Sequence, residues 1–381
     1  MINDVSDHPG SLTQSGWLEY IRRYLIVESC GLVQDTGLRG ISSNPAIFEK
    51  AIIDDHAYDA ELRLMGSRGL TARAMYDELS RRDVERAADK FRTEYDETSG
   101  RDGYVCLEID PHLAYDTNAT MIEVRRLWTA VNRPNVLLKI PATVESLPAI
   151  KQLTSEGINL DVTWLFSLPR YRQVAEAYID GIERRLAQGK SAKGVCSVAS
   201  FFVSRIDAQV DPLLEKIIPR GGNQRDLARH LLGKAAVASA KASYQIYKEL
   251  FNSRRFEILK EKDACVQGIL WAVGGAANPD RGDIAFIEAI VDSSSVNAVP
   301  VETLSAFHNH GVSKTKLEYN AEDASRTLDR LSELGFSIDS ITQTLEEQSI
   351  ENFRKLFDLL LETLAKASLP QAVDFTPSII A

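Results

Sequence analysis

One lysine stands at the end of a strongly apolar stretch, where a side-chain amine could carry out carbonyl chemistry. Residues 135–143 read Asn-Val-Leu-Leu-Lys-Ile-Pro-Ala-Thr, which is typical of a strand buried on both faces of a parallel sheet. Lys139 is costly to bury as a cation, and a desolvated neutral amine is the nucleophile that attacks carbonyls to give Schiff bases. Two other interpretations stay open from this stretch alone. The lysine could pair with a carboxylate, or its side chain could extend to the rim of a barrel.

Polar side chains also stand at the ends of the other apolar stretches, and barrel enzymes carry their chemistry at the carboxyl ends of their strands. Each has a simpler explanation when taken alone. Glu108 could belong to a strand-ending turn, and Ser200 could be a small packing residue. Arg205 could pair on the surface with Asp207 or Asp211. Consecutive strands that all end in ionisable or amide groups are hard to explain by packing, so we predict an active site containing Glu19, Asn44, Glu108, Lys139, Asp161, Thr163, Ser200 and Arg205.

Eight apolar stretches alternate with helical ones, which predicts an α/β fold: a (β/α)8 TIM barrel with additional helices. The predicted strands occupy 16–19, 38–45, 104–111, 135–143, 158–163, 194–203, 266–273 and 295–300. Helices are expected from the first strand to about residue 30 and over 46–52, 55–100, 117–131, 168–188, 206–217, 225–251 and 320–366. No glycine-rich dinucleotide fingerprint follows the first strand, which disfavours a nicotinamide-binding sheet.

Length and charge restrict the class of protein. The chain has 381 residues and a formal net charge of −10, which suits one large barrel and argues against nucleic acid or an anionic membrane as a partner. We predict a lead-in at 1–14, the barrel at 15–370 and a C-terminal tail at 371–381. The first residues carry no apolar signal region, and no apolar run is long enough to span a bilayer. We therefore expect a cytoplasmic monomer or homodimer.

Neither the cysteines nor the histidines are spaced like metal ligands. The four cysteines are widely separated without a Cys-x-x-Cys motif, and the histidines show no His-Glu-x-x-His motif. We expect reduced structural thiols, no metal, no cofactor, and small sugar or carbonyl molecules as the partners.

Four motifs, in order along the chain, resemble those of the transaldolase family, in particular its longer bacterial subfamily. The resemblance covers nearly the full length, and agreement by chance at four such stretches is negligible. The motifs are Leu-Arg-Gly-Ile-Ser-Ser-Asn-Pro-Ala-Ile-Phe-Glu-Lys-Ala-Ile at 38–52, Leu-Glu-Ile-Asp-Pro at 107–111, Leu-Lys-Ile-Pro-Ala-Thr at 138–143 and Ser-Val-Ala-Ser-Phe-Phe-Val-Ser-Arg-Ile-Asp at 197–207.

The resemblance implies a barrel whose fourth-strand lysine, Lys139, forms a Schiff base with a ketose. Glu108 and Thr163 match the pair that holds the catalytic water. Asn44 matches an amide that binds the hydroxyls of the donor. The remaining matches are substrate-binding Ser200, phosphate-binding Arg205 and an aromatic that helps to separate transfer from simple aldol cleavage, Phe202.

The chemistry agrees with these roles. An iminium on Lys139 is an electron sink, so the C3–C4 bond of a ketose can break and leave an enamine on the three-carbon donor. A carboxylate near the C4 hydroxyl must take its proton, and Glu108 or the first-strand acid Glu19 could do so. An enamine that is retained until an aldehyde arrives makes the reaction a transfer.

Three positions depart from the family pattern. Glu19 stands where aspartate is usual, which moves the carboxyl by roughly 1 Å. Asp161 stands where asparagine is usual, so an acceptor-only anion replaces an amide and should repel a phosphate. Residues 272–279 read Ala-Val-Gly-Gly-Ala-Ala-Asn-Pro, so Val273 and Ala277 take the places of a hydroxyl and a lysine that bind phosphate in the longer relatives.

These departures predict a transaldolase-like Schiff-base enzyme that makes or transfers a carbon–carbon bond on a non-standard substrate, such as an unphosphorylated one from specialised metabolism. Three alternatives stay open: an ordinary pentose-phosphate transaldolase acting on sedoheptulose 7-phosphate and glyceraldehyde 3-phosphate, another amine–carbonyl condensation, and a non-catalytic barrel. The joint presence of Lys139, Glu108 and Thr163 argues against the last.

Overall fold

A computed structural model describes residues 39–42, 58–273, 282, 284–292, 294–312, 314 and 316–369. Most of the predicted barrel lies within these ranges. The predicted features that fall outside them are the lead-in, the first strand 16–19 and its helix, the helix 46–52, the C-terminal tail, and the residues Glu19, Asn44 and Ala277.

Seven parallel strands form one sheet in which each strand pairs with the next along the chain. This order is that of an α/β barrel, so the predicted fold class is confirmed, and the strands correspond to the second to eighth predicted ones. They are β1 (Gly40–Ser42), β2 (Tyr104–Glu108), β3 (Val136–Pro141), β4 (Leu160–Leu165), β5 (Ser197–Phe202), β6 (Gly268–Ala272) and β7 (Ser295–Ala298).

The strand register brings three ionisable residues side by side. Glu108 pairs with Lys139 across β2 and β3, and Lys139 pairs with Asp161 across β3 and β4. The residues that alternate with them, such as Leu107 and Leu138, belong to the apolar core shared with the surrounding helices. Because successive side chains of a strand point to opposite faces, the three ionisable residues face the interior of the barrel.

Helices alternate with these strands, and several begin at a side-chain cap. In the described ranges they are α1 (Asp59–Ser67), α2 (Ala72–Lys90), α3 (Arg92–Glu97), α4 (Thr117–Val131), α5 (Ser146–Glu156), α6 (Leu168–Ala187), α7 (Ser204–Glu215), α8 (Gly222–Leu231), α9 (Ala235–Phe251), α10 (Arg254–Lys260), α11 (Ala285–Ile290), α12 (Val301–His310), α13 (Ala321–Glu333) and α14 (Ile338–Ala367). The hydroxyl or carboxylate caps that accept from the first turn are Thr71, Asp116, Ser167, Ser253 and Ser337.

Three long helices predicted from the sequence are each divided. The predicted helix 225–251 is α8 and α9, and Gly233 between them has a φ of 65° that a helix cannot contain. The predicted helix 320–366 is α13 and α14, separated by Gly335 with a φ of 83°. The predicted stretch 55–100 contains α1, α2 and α3.

The long helix α14 lies against the barrel at the end where the ionisable residues stand. One part of it packs in a separate apolar cluster with α1 and α2, through Phe357, Leu360 and Leu364. Further towards its N-terminus, the ring of Phe353 lies 5.3 Å from the ring of Trp164, at the carboxyl end of β4. The helix is thereby held across the mouth of the barrel.

Candidate active site

Lys139 is the centre of the polar cluster inside the barrel mouth. Its side chain is 10% exposed, and its Nζ lies 3.4 Å from Oε2 of the buried Glu108. Burial alone would lower the pKa of Lys139, but the negative charges of Glu108 and Asp161 outweigh burial and raise that pKa above its usual value. The resting lysine is therefore a cation paired with a carboxylate, which is one of the interpretations that the sequence left open.

Glu108 is the group that can relieve Lys139 of its proton. Burial raises the pKa of this carboxyl to about 7, although the charge of Lys139 acts in the opposite direction. A carboxyl with that pKa exists in both protonation states near neutral pH. It can accept a proton and return it, which is what general acid–base catalysis requires.

Asp161 is a second carboxylate in the same layer of the barrel. It is 1% exposed, and its Oδ1 accepts a hydrogen bond from the Ser200 hydroxyl at 2.6 Å. Burial raises the pKa of Asp161, while the charge of Lys139 and hydrogen bonds from Ser200 and Cys106 lower it. Strand register, hydrogen bonding and charge together fix this carboxylate beside Lys139.

Thr163 follows Asp161 by two residues on β4, so it faces the same interior. Its Oγ1 is buried and has no hydrogen-bond partner among the described residues. Buried hydroxyls are nearly always hydrogen-bonded, to protein, to water or to a ligand. This hydroxyl is therefore free to hold a water molecule or a hydroxyl of the substrate.

The rim of the barrel carries an arginine on two aromatic rings. The Arg205 guanidinium lies 5.3 Å from the ring centre of Trp164 and 5.7 Å from that of Phe202, and its Nη1 donates to Oγ of Ser349 at 3.1 Å. Trp164 and Phe202 are themselves stacked, with ring centres 4.9 Å apart. This packing holds the guanidinium at the mouth.

No carboxylate within the described ranges pairs with Arg205. Oδ1 of Asp207 accepts from the N–H of Ala236, and Oδ1 of Asp211 accepts from the N–H of Gly233, both at 2.8 Å. The surface pairing that the sequence left open is therefore not what the structure contains. Partial desolvation lowers the pKa of Arg205, yet an arginine remains charged at neutral pH. A cation that no described carboxylate neutralises can receive an anionic group at the mouth of the barrel.

Trp164 owes its position to an unusual backbone. Its φ is 59°, and the pairing of β4 with β5 shifts register between Val162 and Leu165. A bulky residue in the left-handed region is an outlier that the surroundings must hold in place, and such outliers cluster at functional sites. The bulge places the indole between Phe202 and Phe353.

A small cavity lies above Lys139, between the strand ends and α14. Its polar lining comes from Glu108 and Lys139, and its cover includes Trp164 of β4 with Ile350 and Phe353 of α14. Apolar cover excludes water and strengthens every charge interaction beneath it.

The structure brings most of the predicted site residues together. Those at the base are Glu108, Lys139, Asp161, Thr163 and Ser200, and those at the rim are Phe202 and Arg205. Val273, at the end of β6, is buried and apolar. The predicted Glu19 and Asn44 lie outside the described ranges.

Four further residues of the site were not predicted. Cys106 precedes Glu108 by two positions, so strand alternation could have identified it. Trp164 directly follows Thr163, but no sequence signal indicates its positive φ. Ser349 and Phe353 lie on a helix predicted only as charged and amphipathic. The spacing of apolar residues along that helix does not reveal which surface the helix covers.

Other features of the described residues concern metals, thiols and membranes. In these ranges no three His, Cys, Asp or Glu side chains converge as metal ligands would. Within these ranges Cys106, Cys196 and Cys265 take part in no disulfide. None of the helices described combines the length and apolar character needed to cross a bilayer.

Comparison with known proteins gives consistent matches over nearly the whole chain. A family model described as transaldolase/fructose-6-phosphate aldolase matches residues 17–364. A protein of Acidothermus cellulolyticus named transaldolase is 42% identical over 92% of this chain and 94% of its own. Proteins named transaldolase from Saccharopolyspora erythraea and Trichodesmium erythraeum are 39% and 36% identical, each over 93% of this chain and 95% of its own.

Proposed function

The chain belongs to the transaldolase/fructose-6-phosphate aldolase family, and from that premise we propose that it is an ordinary transaldolase. It transfers a three-carbon ketose unit from one sugar phosphate to an aldose phosphate, through a Schiff base on Lys139. Relatives named transaldolase that match nearly the whole chain support this function better than the non-standard substrate predicted from the three departures.

The observation that carries the proposal is the buried pair of Lys139 and Glu108 beneath an apolar cover. A surface lysine would meet water and stay protonated without a nearby base. Here a carboxyl whose pKa is about 7 stands 3.4 Å from the amine, a long hydrogen bond of the kind that tightens when substrate binds and then carries a proton.

The first step consumes the ammonium and a ketone. Lys139 gives one proton to Glu108, its lone pair forms the C–N bond, and the carbonyl oxygen leaves as water after protonation. An ammonium and a ketone become an iminium and water, so charge and atoms balance.

The second step breaks a carbon–carbon bond. The C3–C4 electron pair moves to the iminium and gives a neutral enamine, while the C4 hydroxyl proton passes to a carboxylate as C4 becomes an aldehyde. Glu108 takes this proton through a water held by the unpartnered hydroxyl of Thr163. The reverse sequence on a second aldehyde completes the transfer.

Arg205 is the residue that supports phosphorylated substrates. It is a cation at the mouth without a carboxylate partner among the described residues, whereas Val273 after β6 offers no polar group. A guanidinium donates in a planar fork that matches phosphate. We assign the phosphate contact to Arg205, with the sugar extending from it towards Lys139.

The aromatic cover supports transfer over hydrolysis. Trp164 and Phe353 line the cavity, and Phe202 stacks on Trp164, so an enamine formed on Lys139 is shielded from water. The second aldehyde then competes with few water molecules for it.

The test is a transfer assay with fructose 6-phosphate and erythrose 4-phosphate beside the unphosphorylated sugars, fructose and erythrose. We expect kcat/KM of about 10⁴ M⁻¹s⁻¹ or more on the phosphorylated pair, an ordinary enzyme value. Transfer that is faster on the unphosphorylated pair would contradict the proposal and favour the non-standard substrate.

A further inference from the structure

Asp161 is a buried carboxylate beside the reacting nitrogen with no part in the steps described above. It pairs in register with Lys139, and neighbouring strands of a sheet lie roughly 4.8 Å apart. Ser200 donates to it at 2.6 Å. Its side chain is fixed by these contacts and faces the same interior as the Lys139 amine.

We infer that Asp161 is a positioning residue that acts through Lys139: it holds the reacting nitrogen as a cation and sets the pH at which that nitrogen becomes a nucleophile. The inference deepens the proposed function, because its catalytic meaning rests on a Schiff base at Lys139. It concerns one property of the site, the proton affinity of this amine.

The charge balance of the reaction shows where such an anion acts. The ammonium before the reaction and the iminium after it carry the same positive charge, so a fixed carboxylate stabilises both alike. Only the neutral amine between them lacks that stabilisation. Asp161 therefore reduces the fraction of attacking amine at neutral pH and opposes loss of the proton from the iminium.

The other groups near Lys139 do not supply a permanent negative charge that stabilises its cation. Glu108, on the opposite side, has a pKa of about 7 and can be neutralised by the very proton it receives. Cys106 of β2 is a buried thiol whose pKa burial raises, so it stays neutral. The helix α14 contributes the apolar Ile350 and Phe353 to the cavity. Tyr76, which lies near Glu108, stays neutral as burial raises its pKa.

Ser200 has a matching part in this arrangement. Its hydroxyl hydrogen is directed to Asp161, so that bond favours the charged form of the carboxylate against the effect of burial. The same bond leaves the lone pairs of Ser200 to accept from a donor hydroxyl of the substrate. Asp161 thus orients the hydroxyl of Ser200 and also keeps Lys139 protonated.

The expected size of the effect follows from the proximity of the charges. Asp161 and Lys139 are paired in register on neighbouring strands, and removal of a full negative charge within about 4 to 6 Å lowers the pKa of a lysine by about 1 to 3. At any pH below both pKa values, the fraction of neutral Lys139 then rises about 10- to 1000-fold.

The experiment measures the amine directly, without a sugar. The full chain and its Asp161→Asn variant are labelled with trace acetic anhydride from pH 6 to pH 11, and the acetylation of the peptide containing Lys139 is followed by mass spectrometry. We expect the half-labelling pH of Lys139 to fall by at least about 1 in Asp161→Asn. An unchanged half-labelling pH would overturn the inference.

A matched control is available in the same chain. Asp83 is also buried and also accepts one hydroxyl bond at 2.6 Å, from Tyr58, but it lies on α2, away from the cavity. Asp83→Asn should leave the half-labelling pH of Lys139 unchanged, because it removes a buried carboxylate without removing the neighbour of the amine.

A second variant covers the case in which Asp161→Asn does not fold. Asp161→Ser removes the same charge with a smaller side chain, and Asp161→Glu retains the charge and should keep the half-labelling pH nearer that of the wild type. Labelling also separates this inference from the proposed function. A second sample is incubated with fructose 6-phosphate and reduced with borohydride, which traps any sugar adduct on Lys139. A shifted half-labelling pH without such an adduct would reject the Schiff base. An adduct together with an unchanged half-labelling pH would reject the role of Asp161.

Discussion

The base and the rim of the barrel mouth each hold one cation, and their surroundings are opposite. At the base, Lys139 faces Glu108 at 3.4 Å and pairs in register with Asp161. At the rim, Arg205 lies on Trp164 and Phe202 with no carboxylate partner in the described ranges.

This difference separates proton transfer from anion binding. A cation that must gain and lose a proton needs a nearby base, and Lys139 has one. A cation that binds a phosphate, as proposed for Arg205, should not be neutralised beforehand, and no described carboxylate pairs with Arg205. The residues at the base of the barrel mouth are therefore suited to carbonyl chemistry, and Arg205 at the rim is suited to holding the charged end of the substrate.

Loss of Lys139, the cation at the base of the barrel mouth, should have the largest effect. We expect Lys139→Ala to reduce turnover about 10⁶-fold, as removal of a covalent nucleophile does elsewhere. Steady-state transfer of the phosphorylated pair measures it. Lys151→Ala is the control, because Lys151 pairs with Asp180 on the outer surface and its loss should change turnover little. Substantial activity in Lys139→Ala would show that another amine carries the reaction.

Removal of the Glu108 carboxyl, beside Lys139, should have the next largest effect. We expect Glu108→Gln to lower kcat about 10²- to 10⁴-fold, the range of general acid–base catalysis. The pKa of Glu108 is about 7, raised by burial. Since the carboxylate is the form that accepts a proton, the wild-type rate should fall as the pH decreases through about 7, and the variant should lack this limb.

Glu346 provides the control for that pH profile. Burial likewise raises the pKa of Glu346 to about 7, and it pairs with Arg170 at 3.5 Å without lining the cavity. Glu346→Gln should keep the acid limb of the rate profile. If Glu346→Gln removes the limb and Glu108→Gln retains it, the assignment of the base is wrong.

Loss of the rim cation should have a smaller and more selective effect. We expect Arg205→Ala to lower kcat/KM for the phosphorylated pair about 10- to 100-fold, which corresponds to about 1.5–3 kcal/mol for hydrogen bonds to a charged group. Rates on unphosphorylated sugars should change little. Arg354→Ala is a matched control, because Arg354 lies 5.1 Å from the ring of Tyr115, outside the cavity. Equal losses on both kinds of sugar would argue against a phosphate contact.

Removal of the hydrogen bond between Ser349 and Arg205 should have the smallest effect. Ser349 accepts one hydrogen bond from Arg205, so Ser349→Ala should raise KM for the phosphorylated pair about two- to tenfold with kcat retained, the size of a single hydrogen bond. Thr363, whose hydroxyl bonds to Leu359 within the same helix, is the control position. A larger effect of Thr363→Ala than of Ser349→Ala would mean that the helix as a whole, rather than this contact, governs binding.

The sequence predicted the base better than the rim, for a physical reason. Glu108, Lys139 and Asp161 end apolar strands that succeed one another in the barrel, so strand order alone places them together. Ser349 meets Arg205 only because α14 crosses the barrel mouth, and no local pattern encodes a contact between residues so far apart in the chain.

The charge state of the base also required the structure. Burial by itself argues for a neutral lysine, and the sequence left this state open beside a lysine paired with a carboxylate. Two carboxylates from neighbouring strands reverse the outcome, and their combined effect depends on register and distance. The break at Gly233 could have been anticipated from its residue type, whereas the positive φ of Trp164 could not.

The Schiff base at Lys139 is the central claim, and reduction with borohydride tests it most directly. The full chain is incubated with fructose 6-phosphate, reduced, digested and analysed by mass spectrometry. We predict a reduced three-carbon adduct on the peptide containing Lys139 and its absence in Lys139→Ala. An adduct on a different lysine, or continued transfer with no adduct on any peptide, would contradict the account.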